Sequence, residues 1–270
     1  MFPDASAERA AADYVLLGAP LDRSTTFQPG TRFGPRRVRR FAETFDDYDR
    51  RTDRRFSELG VHDAGDLDSF EPVSEYLDFL AGILSDADDE AVPLLVGGEH
   101  TVSAAGVRAT DPDVFVCCDA HLDLRESYAG DERSHATVTR HVLDVADRAV
   151  ILGARAGSEV EYERADADDV TAVPPEDVAG WSPDFDDATE IYCSVDIDAA
   201  DPGFAPGTGT MEPFGLAPRE LRAVVRAVAP HTSGFDLVEV NDRDDGQAAA
   251  LGAKLLREFV YSHADARLAD

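Results

Sequence analysis

Two short apolar runs restrict the folds that this chain can adopt. Residues 114–118 and residues 191–195 each contain five apolar or small side chains in succession. A strand at the surface of a sheet alternates apolar and polar residues, whereas a strand buried on both faces does not. The two runs therefore predict central strands of a mainly parallel sheet that is covered on both sides.

The rest of the chain alternates between strand-like runs and helix-like stripes, as βα units do. This pattern predicts a three-layer α/β/α fold in a single domain over residues 1–270. Residues 166–187 are acidic, contain prolines and lack a clear periodicity, so mostly loop is expected there. Further strands are predicted at 14–17, 61–66, 91–96, 149–152 and 234–240, and helices at 34–40, 72–84, 101–109, 135–146, 158–165, 218–228 and 247–262.

Side chains typical of metal sites follow both apolar runs at alternate positions. Asp119, His121 and Asp123 come directly after the first run, and Asp196 and Asp198 come after the second. In extended backbone, side chains two residues apart point the same way, and open α/β sheets bind ligands at the carboxyl ends of their strands. We therefore expect the two sets to meet at one edge of the sheet.

A sixth candidate ligand is His100, which follows a predicted strand and the pair Gly97-Gly98. Two glycines permit positive φ and a sharp reversal that holds the imidazole at the edge of the sheet. Most acids in such an acidic chain are solvated surface groups, but these acids follow apolar strands with period two. Four carboxylates and two imidazoles exceed the needs of one small cation and predict two metals that share carboxylates. Without thiolate ligands, the set favours Mn²⁺ over a structural Zn²⁺.

The charge balance excludes some partners. The formal net charge is −30, and affinity for nucleic acid or anionic membranes comes mainly from Lys and Arg, so neither partner is expected. Lys254 is the only lysine in the chain. An acidic, lysine-poor composition indicates adaptation to a salt-rich cytoplasm, where self-repulsion is screened. The alternative is an acidic surface that serves a cationic substrate.

The cysteines and the apolar runs predict a cytoplasmic location. Cys117, Cys118 and Cys193 lie inside strand runs, where thiols behave as small buried hydrophobes and not as a disulfide framework. No apolar run approaches the roughly 20 residues that a membrane-spanning helix needs. Residues 1–13 have no apolar segment like that of a signal peptide.

Several stretches of the chain together resemble the ureohydrolase family of arginases and agmatinases. Early positions match the agmatinase side, and the resemblance runs from about Gly18 to the carboxyl end. The set is highly specific, although each motif alone is weak or moderate. The stretches are Pro29-Gly30, Arg32, Gly34-Pro35, Asp63-Ala64-Gly65-Asp66, Gly97-Gly98-Glu99-His100, Asp119-Ala120-His121-Leu122-Asp123, Ser134-His135, Ser194-Val195-Asp196-Ile197-Asp198 with Asp201-Pro202, residues 205–210 and residues 236–241.

This resemblance implies an arginase-like fold and a hydrolase with two Mn²⁺ per subunit, in a trimer or hexamer. In the reaction that the resemblance implies, a hydroxide between the metals would attack the carbon of a guanidino group. By the same resemblance, Asp123 would handle a proton, Glu239 would pair with the guanidinium, and His135 would shuttle protons. By position, one metal would be held by His100, Asp119, Asp123 and Asp196, and the other by Asp119, His121, Asp196 and Asp198.

Agmatine is the expected substrate, with putrescine and urea as products. Residues 124–133 lack the Asn- and Ser-rich sequence with which arginases bind the amino-acid end of arginine, and they supply acids suited to a cationic tail. Met211 and Phe214 stand where agmatinases usually have Pro and Gly. A larger substrate, such as an aminopropyl derivative of agmatine or an agmatine-modified protein, therefore stays open.

Other activities compete with this prediction. Other ureohydrolases act on guanidinobutyrate, formimidoylglutamate or arginine. A related fold is that of metal deacetylases, which use one Zn²⁺. The presence of two Asp-containing sets, one after each apolar run, argues against that alternative. A non-catalytic metal-binding protein is the remaining alternative.

Overall fold

The computed structural model describes residues 1–86 and 91–268. Within them, eight strands form one sheet in which every neighbouring pair runs parallel. The described residues contain ten strands in all, namely β1 (Tyr14–Ala19), β2 (Tyr48–Asp49), β3 (Arg54–Arg55), β4 (Val61–Asp66), β5 (Val92–Gly97), β6 (Val114–Cys118), β7 (Arg148–Leu152), β8 (Val170–Val173), β9 (Ile191–Asp196) and β10 (Thr232–Val238). The sheet order is β4-β1-β5-β10-β9-β6-β7-β8, and β2 and β3 form a separate antiparallel hairpin.

Helices cover both faces of the sheet. They are α1 (Gly34–Ala42), α2 (Val73–Ser85), α3 (Ser103–Thr110), α4 (Val138–Val142), α5 (Glu159–Ala165), α6 (Pro175–Val178), α7 (Pro218–Val228) and α8 (Gln247–Arg267). Helices α1, α7 and α8 share one apolar cluster with alternate residues of the central strands, whereas α2, α3 and α4 pack in clusters with the residues in between. The predicted three-layer α/β/α fold with a mainly parallel sheet is confirmed.

The central strands are buried on both faces, which explains their uninterrupted apolar runs. Every residue of β1, β5, β6 and β9 is buried. Strand β10 lies between β5 and β9, and its register pairs Leu237 with Val96 and Val238 with Asp196. Strand β6 pairs Cys118 with Val195 of β9. The carboxyl ends of β5, β10, β9 and β6 therefore lie side by side at one edge of the sheet.

Three local predictions were wrong in part. Residues 166–187, expected to be mostly loop, contain the edge strand β8 and the short helix α6. Strand β8 could not be recognised in the sequence because Thr171 and Ala172 are exposed, which makes its apolar pattern too short. The helix expected over 135–146 is a 3₁₀ turn followed by α4, which ends at Val142. Strand β10 ends at Val238 because Glu239 has φ of 60°.

Among the described residues, no helix combines the length and the apolar character that crossing a bilayer requires.

Candidate active site

The six predicted metal ligands come together at the carboxyl edge of the sheet. His100 lies in a 3₁₀ turn after β5, the segment from Asp119 to Asp123 follows β6, and Asp196 ends β9. We call these six residues the strand-end cluster; its members are His100, Asp119, His121, Asp123, Asp196 and Asp198. All are buried except His121, which is partly exposed.

One half of the strand-end cluster surrounds the Nδ1 atom of His100. This nitrogen lies 3.0 Å from Asp123 Oδ2, 3.1 Å from Asp119 Oδ2 and 3.6 Å from Asp196 Oδ2. The opposite nitrogen, Nε2, lies 3.3 Å from Ser194 Oγ. Three carboxylates thus face one imidazole nitrogen, while the other nitrogen faces the protein interior.

The other half surrounds the Nδ1 atom of His121. It lies 2.9 Å from Asp198 Oδ2 and 3.6 Å from Asp119 Oδ1. Asp119 therefore turns one oxygen toward His100 and the other toward His121. Backbone bonds hold this arrangement, because the N–H of His121 donates to Asp119 Oδ1 and the N–H of Asp198 donates to Asp196 Oδ1.

The electrostatics of the strand-end cluster favour added positive charge. Within residues 1–86 and 91–268, no Arg or Lys forms an ion pair with its four carboxylates; only the two imidazoles do. Burial and then the Asp119 carboxylate raise the pKa of Asp123 to about 6, and burial and Asp198 raise the pKa of Asp196. Buried carboxylates this close together are costly unless cations compensate them. The donor set, oxygen-rich with two imidazoles, fits divalent cations such as Mn²⁺.

Two acids at the carboxyl edge of the sheet, Asp123 and Glu239, have unusual backbone conformations. Asp123 and Glu239 have φ of 50° and 60°, in the left-handed region that side chains rarely adopt. Gly98 passes so close to the backbone of Leu21 that a Cβ there would overlap the Leu21 carbonyl oxygen. Glycine is thus required at position 98 because the backbone of Leu21 lies so close. It is not required for a positive φ, because Gly98 does not have one.

Glu239 faces the same space from the end of β10. Its Oε1 accepts a hydrogen bond of 2.8 Å from the N–H of His100. Burial, together with Glu99 and Asp198, raises the pKa of Glu239 well above its ordinary value, although the bond from His100 opposes the shift. This buried carboxylate lacks an Arg or Lys partner in the part of the chain that the structure describes, so it fits a cationic ligand.

A cavity of about 250 Å³ opens beside the strand-end cluster. His135 lines it, and burial lowers the pKa of this imidazole, which favours the neutral form. The ring of Tyr128 packs edge-on against His135, with 5.6 Å between ring centroids. Seven of the eight residues predicted from the sequence thus line one cavity, and the eighth, Asp119, is buried beside His100 and His121.

Sequence reasoning did not single out several residues around the cavity. Glu212 lines it, with Oε1 3.8 Å from His121 Nε2, and the only available signal was its place in the loop that departs from the agmatinase pattern. Arg155 had no sequence signal; it donates to the carbonyl oxygens of Asp198 at 2.8 Å and Glu212 at 2.7 Å. This guanidinium ties the loop that carries Glu212 to the strand-end cluster.

The cysteines are free and buried, as predicted. Cys117 nevertheless reaches the site, because its Sγ lies 3.7 Å from His100 Nε2. Burial raises the pKa of the Cys117 thiol to about 12, which favours its protonated form.

A model of the arginase family matches residues 12–261. The chain belongs to the arginase family. An agmatinase of Pyrococcus horikoshii is 31% identical over 259 residues, which cover 91% of this chain and 90% of that protein. An N(1)-aminopropylagmatine ureohydrolase of Thermococcus kodakarensis is 34% identical over 271 residues, covering 94% of this chain and 91% of that protein.

The fold comparison agrees with the arginase-family assignment. The crystal structure of an agmatine ureohydrolase of Thermoplasma volcanium superposes with a TM-score of 0.94 at 31% identity, covering 99% of this chain and 95% of that one. The chain is therefore an agmatinase-like ureohydrolase. A binuclear metal centre is typical of this arginase family, and two groups of side chains here, His100 with Cys117 and Asp119 and Asp119 with His121 and Asp198, lie close enough together to hold a metal ion.

Proposed function

We propose that the protein hydrolyses agmatine to putrescine and urea with two Mn²⁺ per subunit. The observation that carries this proposal is the placement of Asp119, whose two oxygens face two different imidazoles. A carboxylate in that position is suited to bridge two cations. One would be held by His100, Asp119, Asp123 and Asp196, and the other by Asp119, His121, Asp196 and Asp198.

Divalent metals held there would lower the pKa of a water molecule and so supply hydroxide near neutral pH. Glu239 would pair with the guanidinium, because a carboxylate matches that planar fork of donors and only one of its oxygens accepts a backbone bond. Asp123 lies beside His100 and would pass a proton toward the leaving amine. His135, whose pKa is lowered by burial in favour of the neutral form, would shuttle protons between the cavity and solvent.

The charges at the open end of the cavity support a cationic tail on the substrate. Two acids other than Glu239 and the strand-end cluster line it, Glu161 and Glu212. Glu161 is buried and paired with Arg125 at 3.1 Å, so its charge is compensated. Glu212 has no Arg or Lys partner within residues 1–86 and 91–268 and is half-exposed. We infer that Glu212 binds the terminal ammonium of agmatine.

A second candidate substrate is N(1)-aminopropylagmatine, which is agmatine with a longer cationic tail. Met211 and Phe214 are 44% and 84% exposed on either side of Glu212. A surface groove lined by Glu212, Phe214, Tyr162 and Asp166 continues outward from that point. Aromatic faces and carboxylates together are suited to bind a cation, here the additional ammonium group by which aminopropylagmatine is longer than agmatine.

A substrate panel tests these proposals. The protein with Mn²⁺ in molar salt would be given agmatine, aminopropylagmatine, guanidinobutyrate, arginine and formimidoylglutamate, and urea or formamide and the released amine would be measured. We expect the highest kcat/KM with agmatine or its aminopropyl derivative. Turnover of arginine or guanidinobutyrate alone would contradict the role of Glu212, and no turnover at all would refute the proposed reaction.

We also propose that the protein works in a salt-rich cytoplasm and assembles as a homo-oligomer, a trimer or hexamer, as the family resemblance implies. The net charge of −30 makes the folded chain repel itself at low ionic strength. Its thermal midpoint should therefore rise between dilute buffer and molar KCl, because salt screens this repulsion. An equal midpoint in both solutions would refute the salt adaptation, and light scattering in the same solutions measures the assembly.

A further inference from the structure

A buried carboxylate next to the candidate metal site organises the loop after β1. Glu99 is fully buried, and its Oε2 accepts the N–H groups of Arg23 at 2.6 Å and Ser24 at 2.7 Å. Its Oε1 accepts the hydroxyl groups of Ser24 at 2.9 Å and Thr101 at 2.8 Å. Glu99 thus receives four donors and fixes Ser24 through both its backbone and its side chain.

The hydroxyl of Ser24 then contacts His135 twice. Ser24 Oγ accepts a hydrogen bond of 2.9 Å from the N–H of His135 and lies 3.0 Å from its Nδ1. A hydroxyl group has only one hydrogen to donate. Ser24 donates it in the hydrogen bond to Glu99 Oε1, because a carboxylate oxygen can only accept. Ser24 Oγ therefore faces Nδ1 as an acceptor, which requires a hydrogen on Nδ1. The other hydroxyl near this nitrogen, that of Ser134, is farther away at 3.4 Å.

We propose that Ser24 is a positioning residue for His135, which it holds, through Glu99, in the tautomer with hydrogen on Nδ1 and a free lone pair on Nε2. A neutral imidazole accepts a proton through that lone pair, and His135 lines the cavity. The edge-on ring of Tyr128 limits rotation of the imidazole from another side. This inference rests on the proposed function for the role of His135, whereas the hydrogen-bond chain is independent of it.

Catalysis tests the proposal through a double-mutant cycle. Ser24→Ala should lower kcat with agmatine between about 10- and 100-fold with little change in KM, because a mispositioned proton shuttle slows chemistry and not binding. In a His135→Ala background, Ser24→Ala should cause no further loss. Ser24→Thr keeps a hydroxyl and should restore most of kcat. Thr101→Ala is the matched control, because it removes a different donor to the same Glu99 oxygen, and Thr101 forms no side-chain hydrogen bond with His135 in the described part of the chain.

Two results would overturn the proposal: an equal loss from Ser24→Ala in both backgrounds, or an unchanged kcat in Ser24→Ala. A measurement on the unmutated protein covers the case in which that variant does not fold. Nitrogen-15 NMR of histidine-labelled protein, loaded with diamagnetic Zn²⁺, should show His135 with hydrogen on Nδ1, and hydrogen on Nε2 would refute the proposal. If the protein hydrolyses no guanidino compound, the proposed function fails while this tautomer still decides the role of Ser24.

Discussion

The strand-end cluster and the mouth of the cavity are neighbours built by different means. We define the mouth as Met211, Glu212 and Phe214. The two regions approach to 3.8 Å between His121 Nε2 and Glu212 Oε1. The cluster is largely buried, and backbone N–H groups of its own segments bond its carboxylates, whereas Met211 and Phe214 are exposed on a loop.

This difference separates two tasks. A centre that holds cations needs several oxygens at fixed separations, and the ends of packed parallel strands provide them. A mouth that selects a substrate tail needs shape and charge that change without disturbing the sheet, and a surface loop provides those. Substitutions in the cluster should therefore abolish hydrolysis, whereas substitutions at the mouth should change which substrate is used.

The largest effect is expected from Asp196→Ala. Loss of a carboxylate proposed to touch both cations should reduce urea production at least about 1,000-fold, because transition-state stabilisation by metals is worth several kcal/mol. Asp168→Ala is the control. It removes an exposed acid that does not line the cavity, and it should keep full activity. Circular dichroism should show that both variants fold. An active Asp196→Ala enzyme would remove the strand-end cluster from the mechanism.

A smaller and more selective effect is expected from Glu212→Gln. Its KM for agmatine should rise about tenfold with kcat nearly unchanged, because one charged hydrogen bond to the substrate tail is lost. Butylguanidine, which lacks the terminal ammonium, should be hydrolysed equally by Glu212→Gln and by the unmutated enzyme. If both substrates were impaired alike, Glu212 would act through His121 and not on the tail.

The smallest effect is expected at Phe214, whose φ is 67°. Phe214→Gly should stabilise the protein by about 1 kcal/mol, because glycine adopts this conformation without strain and the exposed ring loses little packing. Phe214→Ala keeps a Cβ and should gain nothing, which makes it the matched control. Chemical denaturation of the three proteins measures the difference, and kcat/KM for agmatine should stay the same. Equal stability of Phe214→Gly and Phe214→Ala would show that this backbone stores no strain.

The strand-end cluster was recognisable in the sequence because most of its residues follow apolar runs at alternate positions. Residues that directly follow parallel strands lie at the same edge of the sheet, so their positions in the sequence predict that they are close together. His100 was recognisable for a similar reason, since Gly97-Gly98 ends a strand just before it. Ser24 and Arg155 were not recognisable, because they act through contacts between segments far apart in sequence. Strand β8 escaped recognition because an edge strand with exposed residues lacks the apolar pattern of the centre.

We propose that the two halves of the strand-end cluster hold two cations that share Asp119. The most direct measurement is the metal content of the purified protein after it is saturated with Mn²⁺ in molar salt and freed of unbound metal, with urea production followed in parallel. We expect two Mn²⁺ per chain and activity that depends on the second. One metal per chain in a fully active enzyme would contradict it.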